Sequence, residues 1–230
     1  MERAIVVTGR EGSAVRPARA VALGAPAPEQ CVLRIDGATA KTIDVTYGTL
    51  PGNQPKAYRN TLAVWESSVI PWTVRPLVRV RLAQNVESGL ETISGLEVTR
   101  SAYTVAYCTG PDVTDACACA VLAAGGAVEA PTSVSVAVDE IGDRSLSIHY
   151  RTLYGYLPRT YRNWVGLWPG LASPYNAPAP MALAKPTDAS EGRLEMDGLD
   201  LTADTTYTLI YFMDASQTTA AAVHTFRTTT

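Results

Sequence analysis

The sequence predicts an all-β protein made of two tandem antiparallel β-sandwich domains. Three observations support this fold class: a composition suited to strands and turns, an internal repeat of whole-domain length, and apolar residues that alternate along each repeat. The 230 residues include 17 Gly and 15 Pro, and the aromatic residues include 11 Tyr but only 2 Phe. Together with abundant Val and Thr, this composition favours short strands joined by turns over long helices.

The internal repeat organises the whole chain. Residues 41–72 align without a gap with residues 144–175 when the chain is shifted by 103 positions, and 10 of the 32 paired residues are identical. A second block, 94–107, matches 197–211 once one residue is inserted. A period of about one hundred residues fits an array of whole domains rather than a solenoid. We therefore predict a leading segment over 1–27, a first β-sandwich over 28–126 and a second over 127–230.

Within each repeat the apolar positions alternate with polar or small ones, as in strands with one buried face. In the first unit the alternating residues are Cys31, Leu33, Ile35, Ile43, Val45, Tyr47, Tyr103, Val105 and Tyr107. In the second unit they are Val134, Val136, Val138, Leu146, Ile148, Tyr150, Tyr207, Leu209 and Tyr211. Seven or so short strands per unit predict an antiparallel sandwich.

Composition also narrows the function classes. Apolar residues make up 47% and charged residues 18% of the chain, and no apolar run approaches the ~20 residues of a membrane-spanning helix. A net charge of −3 supplies no broad basic field, so nucleic-acid binding is disfavoured. The first residues lack the basic start and apolar stretch of a secretory signal. We expect a cytoplasmic protein, or one exported without a classical signal peptide.

The residues needed for catalysis or metal binding are sparse. The chain has two histidines, His149 and His224, and no nucleophile-elbow, P-loop or dinucleotide-binding motif. The acids over 188–204 match no calcium loop. The four cysteines, Cys31, Cys108, Cys117 and Cys119, are too few for a disulfide scaffold and lack zinc-site spacing. These absences predict a non-enzymatic protein without a cofactor or metal.

Two motifs in the second unit carry a resemblance to known domains. Tyr207 opens an alternating strand six residues after Leu201, a spacing that resembles the tyrosine corner of fibronectin type III and immunoglobulin-like domains. The strand Trp164-Val165-Gly166-Leu167-Trp168, followed later by 207–212, is similar to strands of SKICH-type domains and of the N-terminal sandwich of purple acid phosphatases. The resemblance implies an immunoglobulin-like fold and partner binding, with no chemistry carried by the sandwich.

The equivalent predicted strands 61–65 and 164–168 suggest a ligand site. The period of two places their tryptophans on the face opposite the aliphatic residues, so they point outward if the aliphatic face is the core. Beside the repeated Tyr-Arg-Asn triplet they would form a stacking platform for a glycan or an anchor for a protein. The predicted ligand-binding residues are Tyr58, Arg59, Asn60, Trp65, Tyr161, Arg162, Asn163, Trp164 and Trp168.

The same residues have structural alternatives. The long Pro-rich segment after each strand can fold over its Trp, or the Trp face can itself be the core. An Asn before a strand commonly bonds local backbone, and an adjacent Arg commonly pairs with an acid in a neighbouring loop.

A row of arginines in the first unit, Arg75, Arg79 and Arg81, has no counterpart in the second, where the equivalents of the last two are Ala182 and Ala184. The row could bind a phosphate, a glycan or an acidic partner. We favour an edge strand that uses charge to avoid pairing with other chains.

The sequence favours a binding module that recognises a protein or glycan. Its alternatives are a leaderless secreted effector or toxin that docks on a target cell, and a structural spacer in a larger assembly.

Two further predictions concern stability. A cross-strand disulfide between Cys108 and Cys117 is feasible, although free thiols are more frequent, and residues 128–230 are expected to fold alone.

Overall fold

Residues 29–229 are described in the computed structural model, and they form sixteen strands and two short 3-10 helices, Val113–Asp115 and Gln217–Thr219. The predicted leading segment lies outside the described residues. No helical segment within the described range has the length and hydropathy required to cross a bilayer. The first eight strands are β1 (Glu29–Gln30), β2 (Val32–Ala38), β3 (Ile43–Gly48), β4 (Thr61–Trp65), β5 (Val78–Arg81), β6 (Ser88–Ile93), β7 (Tyr103–Cys108) and β8 (Ala116–Leu122).

The second unit repeats this series. Its strands are β9 (Thr132–Ser133), β10 (Ser135–Ile141), β11 (Ser145–Arg151), β12 (Trp164–Pro169), β13 (Ala182–Ala184), β14 (Glu191–Asp197), β15 (Thr206–Phe212) and β16 (Ala220–Arg227). Each unit packs a three-stranded sheet, ordered β2-β3-β6 or β10-β11-β14, against a five-stranded sheet. All strand pairs are antiparallel, which confirms the predicted tandem β-sandwich architecture.

The repeat extends to local backbone irregularities. The ladder between β2 and β3 shifts register between Ile35 and Gly37, and the ladder between β10 and β11 shifts between Val138 and Glu140, 103 positions later. A bulge lets the first strand bend and twist more strongly over the core. Because the bulge recurs at equivalent positions, the two units share a backbone path as well as repeated side chains.

The tyrosine corner occurs in both units. The phenol of Tyr207 accepts the backbone N–H of Thr202 at 2.8 Å. In the first unit, Tyr103 accepts the N–H of Thr99 at 3.0 Å and donates to the carbonyl of Glu97 at 3.0 Å. Each phenol therefore satisfies polar backbone of the preceding loop and fixes the entry into its strand.

The two units exchange short strands. β1, at the start of the first unit, pairs with β16 of the second, and β9, at the start of the second, pairs with β8 of the first. The five-stranded sheets accordingly have the orders β5-β4-β7-β8-β9 and β1-β16-β15-β12-β13. Equivalent backbone bonds continue each exchange, from Cys31 to Ala221 at 3.0 Å and from Val134 to Cys117 at 2.7 Å. The exchange is thus reciprocal, because each unit contributes a short strand to the five-stranded sheet of the other.

The core crosses the boundary between the units. One hydrophobic cluster extends from Cys31 to Phe226 and includes residues of both sandwiches. The small-residue segment 123–127, which spans the predicted boundary between the units, is the turn of a hairpin between β8 and β9, closed by a bond from the Ala123 N–H to the Ala127 carbonyl at 2.7 Å. The two sandwiches are therefore packed together, and the chain between them forms a hairpin that is part of their interface.

Candidate functional site

Trp65 of β4 and Trp168 of β12 are interior residues. Trp65 is 2% exposed and Trp168 is 1% exposed. Each indole N–H donates to a carbonyl of the segment that follows its strand, Trp65 to Val74 at 2.9 Å and Trp168 to Pro178 at 2.8 Å. The Pro-rich segment therefore folds over each ring and satisfies its only donor. The expectation that these indoles face outward is wrong, because both faces of the strand are covered.

The Trp164-Val165-Gly166-Leu167-Trp168 strand has a packing explanation for its glycine. Trp164 and Trp168 approach to 6.2 Å between ring centroids, and Trp164 stacks on Phe212 at 4.2 Å. A Cβ on Gly166 would meet both indoles at distances shorter than real Cβ contacts. Trp164, which is half-buried, donates its N–H to the Asp214 carbonyl at 3.0 Å. The motif thus builds a second, outer aromatic layer.

The repeated asparagines are fully buried. The carboxamide of Asn163 donates to the Met213 carbonyl at 2.6 Å and accepts the hydroxyl of Tyr211 at 2.8 Å. Asn60 donates to the Thr109 carbonyl and accepts the hydroxyl of Tyr107 at 2.7 Å. Each Asn therefore satisfies a buried carbonyl at the end of β7 or β15 together with a core phenol. The prediction that Asn60 and Asn163 orient ligand groups is contradicted, since their polar atoms point into the core.

The repeated arginines hold an unusual backbone conformation. Arg59 has a φ of 58° and Arg162 a φ of 63°, in the left-handed region. In the second unit, this conformation closes a tight turn. The backbone N–H of the following residue, Asn163, then donates to the Pro158 carbonyl at 2.9 Å. The Arg162 side chain is 72% exposed and pairs with the Asp214 carboxylate at 2.9 Å. Pairing with a neighbouring loop is the structural alternative that the sequence offered for Arg162.

The repeated tyrosines lie at the interface between the units. Tyr58 of the first unit stacks on Tyr175 of the second, with ring centroids 5.5 Å apart. Tyr161 of the second unit faces Trp72 of the first at 6.5 Å. Trp72 and Tyr175 are equivalent positions, 103 residues apart. Each unit therefore inserts one aromatic ring from its Pro-rich segment against the other unit's Tyr-Arg-Asn turn.

Further bonds cross this interface. The hydroxyl of Tyr156 donates to the Thr114 carbonyl at 2.5 Å, and the hydroxyl of Thr109 donates to the Thr219 carbonyl at 3.4 Å. The burial of Tyr156 raises the pKa of its phenol, so it remains a neutral donor. The sequence alone did not predict this interface, although an aromatic residue follows Pro71 and Pro174 at the same position in each repeat.

The nine predicted ligand-binding residues therefore do not form one exposed platform. Four of them are buried: Asn60, Trp65, Asn163 and Trp168. Tyr58, Tyr161 and Trp164 are half-buried in contacts with other rings. Of the nine, only Arg59 and Arg162 are exposed. Their shared spacing in the two units is explained by folding and by the interface between units.

An apolar groove lies beside Trp168, between strand β12 and the segment that covers its indole. Its volume is about 390 Å³. The lining residues are Trp168, Pro169, Leu171, Ala172, Ser173, Asn176, Ala177, Pro178, Ala179 and Met181. Leu171, at its rim, is 82% exposed, while Met181 is 41% and Leu183, on the adjacent strand β13, is 57% exposed. The groove thus includes Trp168, one of the nine predicted ligand-binding residues, in its lining.

The other predicted chemical groups occupy separate places. His149 contacts the Glu191 carboxylate at 3.1 Å on the outer face of a three-stranded sheet. His224 is on β16, where burial lowers its pKa. Within residues 29–229, no group of three or more His, Cys, Asp or Glu side chains is close enough together to hold a metal ion.

All four thiols are free, and Cys108 and Cys117 lie on opposite faces of their sheet. A register shift between Tyr107 and Cys108 pairs Cys108 with Ala116. The Cys108–Cys117 disulfide, which the sequence left as feasible, is therefore not formed, because a one-residue shift changes the face. The free thiols that were expected more frequently are what the structure has. Cys117 instead contacts Cys31, at the start of the first unit. Burial raises the pKa of Cys108 to about 12 and that of Cys119 to about 11.

Comparisons with known proteins give structural matches only. No protein-family model and no curated protein sequence matches this chain. Among solved structures, the chain is similar to the crystal structure of chicken CNTN1 FN1–FN3 domains, with 10% identity and a TM-score of 0.29. The match covers 89% of this chain and 66% of the other, so the chain spans just under two thirds of that structure's length. The chain's own strand order and its two tyrosine corners show an immunoglobulin-like all-β fold.

Proposed function

We propose that this protein is a non-enzymatic binding module whose apolar groove receives an apolar side chain from a protein partner. The observation that carries the proposal is the exposure of Leu171 at the rim of a groove otherwise lined mainly by Pro, Ala and Met. Contiguous apolar surface of this kind commonly marks a protein contact. Trp168 is one of the residues that line the groove, and its indole is held in place by its bond to the Pro178 carbonyl.

The lining chemistry favours a protein over a glycan. Sugar recognition by stacking needs an exposed aromatic face beside polar groups that bond hydroxyls. Here Trp168 is 1% exposed, and the repeated Asn163 points into the core. Ser173 and Asn176 are the lining residues with polar side chains. The resemblance of the second unit to SKICH-type domains, which bind partners, agrees with this proposal.

The interlocked units support a second candidate function, a rigid spacer. Exchanged strands and shared aromatic contacts oppose bending between the sandwiches, which favours a fixed separation between whatever is attached to them. A spacer needs no groove. The two functions differ in whether a substitution that blocks the groove changes association.

Photocrosslinking tests the groove. A photoreactive side chain is introduced at Ala179, inside the groove, and at Leu90 as a matched exposed position, since Leu90 is 66% exposed on the other unit. The proposal predicts one crosslinked protein specific to position 179. Leu171→Asp should reduce that product about tenfold or more, since a charge placed in a desolvated contact disfavours binding.

Leu90→Asp is the control and should leave the product unchanged. Equal labelling at both positions, or full labelling with Leu171→Asp, contradicts the binding proposal. Defined oligomers that persist with Leu171→Asp and lack any crosslinked partner would favour the spacer.

A further inference from the structure

Strand β5 presents a free sheet edge in the first unit. The sheet order begins β5-β4, and β5 pairs with β4 alone among the described strands. The N–H of Leu82 bonds to the Asn60 carbonyl at 3.1 Å, on the β4 side. Because backbone groups alternate direction along a strand, those of Arg79 and Arg81 point to the free side. Their N–H and C=O groups are therefore available to another strand.

The side chains of β5 divide by face. Val78 and Val80 are half-buried and pack on the core, which anchors the strand. Arg79 and Arg81 are exposed on the outer face, in register with Ala63 and Thr61 of β4. The two guanidinium groups thus extend on one face at a spacing of two residues, beside the free backbone groups.

These arginines are not neutralised by the rest of the described chain. Across residues 29–229, the ion pairs include none of Arg75, Arg79 and Arg81. The buried carboxylate of Asp115 is near Arg79 but accepts the Asp112 N–H at 3.0 Å. A protein of net charge −3 therefore carries a local basic strand edge.

We propose that β5 docks an extended segment of a partner protein in which acidic residues alternate with β-branched residues. The segment adds a sixth strand to the sheet through the backbone groups of Arg79 and Arg81. Its carboxylates, two residues apart, share the outer face with both guanidinium groups and pair with them across the strands. Backbone bonds supply docking, and the arginines select the acidic pattern.

The same charges explain why this edge does not pair with a copy of itself. Two antiparallel β5 strands would place arginines opposite arginines, and like charges across a strand pair are destabilising. An acidic strand reverses the sign of that interaction. The equivalent edge β13 has Ala182 and Ala184 in place of the arginines, so it offers no such selection.

The probe is a fluorescent peptide with alternating Glu and Val, compared with a peptide of the same composition in which the Glu residues are contiguous. Fluorescence anisotropy with the full chain should show saturable binding of the alternating peptide and at least about fivefold weaker binding of the contiguous one, since only alternation puts the carboxylates on one face. Equal binding of both peptides would show general polyanion attraction and overturn the proposal. No saturation by either peptide would also overturn it.

Variants separate the side-chain and backbone contributions. Arg79→Ala with Arg81→Ala should weaken binding about five- to tenfold, whereas Arg100→Ala, an exposed arginine outside the row, should leave it unchanged. Arg79→Pro should weaken binding further than Arg79→Ala, because proline removes the outward N–H and is tolerated at an edge. Equal effects of Pro and Ala would rule out strand addition. Thermal unfolding of each variant checks that its fold is retained.

Discussion

The indole N–H of Trp72 in the first unit donates a hydrogen bond to the carbonyl oxygen of Tyr154 in the second, at 2.9 Å. The same indole packs against the ring of Tyr156, with centroids 4.9 Å apart. Tyr175 makes the reciprocal insertion against Tyr58. These contacts show that aromatic residues at equivalent positions of the repeat hold the two units together.

Trp72→Ala should lower the free energy of unfolding by about 2–3 kcal/mol, less than the loss for a fully buried Trp because Trp72 is half-buried. Both units should unfold together, since the ring belongs to their shared interface. Urea unfolding followed by circular dichroism measures this effect. Tyr154→Ala is the matched control, because it removes a side chain that is 79% exposed but retains the carbonyl acceptor. A loss as large in the control would exclude the interface explanation.

Residues 128–230 should not form the native fold alone, contrary to the expectation from the sequence. The isolated fragment lacks β1, which pairs with β16, and exposes Tyr156 and Tyr161, which pack on Trp72. Uncovered apolar surface removes part of the driving force for folding. Amide NMR dispersion of the fragment tests this, with residues 29–230 as the comparison. A fully dispersed fragment spectrum would show that the interface is dispensable.

Asn163→Ala should cost about 3 kcal/mol of stability, because it leaves the Met213 carbonyl and the Tyr211 hydroxyl without their buried partner. Arg162→Ala should lower the free energy of unfolding by less than about 1 kcal/mol, since its ion pair is exposed. Denaturant midpoints of the two variants test the contrast. Similar losses in both would assign a larger structural role to Arg162 than its exposure supports.

Asp115 should make stability decrease as pH rises through the acidic range. Burial raises its pKa from 3.8 to about 6, so between these values the folded state binds more protons than the unfolded state. Its contribution is fully present below about pH 3.8 and is lost as pH rises through about 6, a change of at most about 3 kcal/mol.

Asp115→Asn should remove this component while retaining an oxygen that accepts the Asp112 N–H. Urea unfolding of both proteins at about pH 4 and pH 7 gives the difference. The lowered pKa of His224 acts in the opposite direction, with stability gained as pH rises toward 6.5, and is common to both proteins. An unchanged pH dependence in the variant would exclude Asp115 as its source.

The sequence by itself determined the repeat, the strands and the inward-facing residues. A shift of 103 positions aligned the units, and alternation identified the buried faces of β3 and β11. The spacing before Tyr207 predicted its bond to the preceding loop. The alternation and the corner are local features, because a period of two and a turn of fixed length depend on neighbours along the chain.

Tertiary structure decided what covers the second face of each strand. Alternation placed Trp65 and Trp168 opposite the aliphatic core, but only the path of the following segment buries them. The exchange of β1 and β9 joins residues distant in sequence, and no local pattern encodes which unit a two-residue strand will pair with. The repeated Tyr-Arg-Asn turn therefore resembled a ligand site in sequence, whereas its contacts belong to the folding and joining of the two sandwiches.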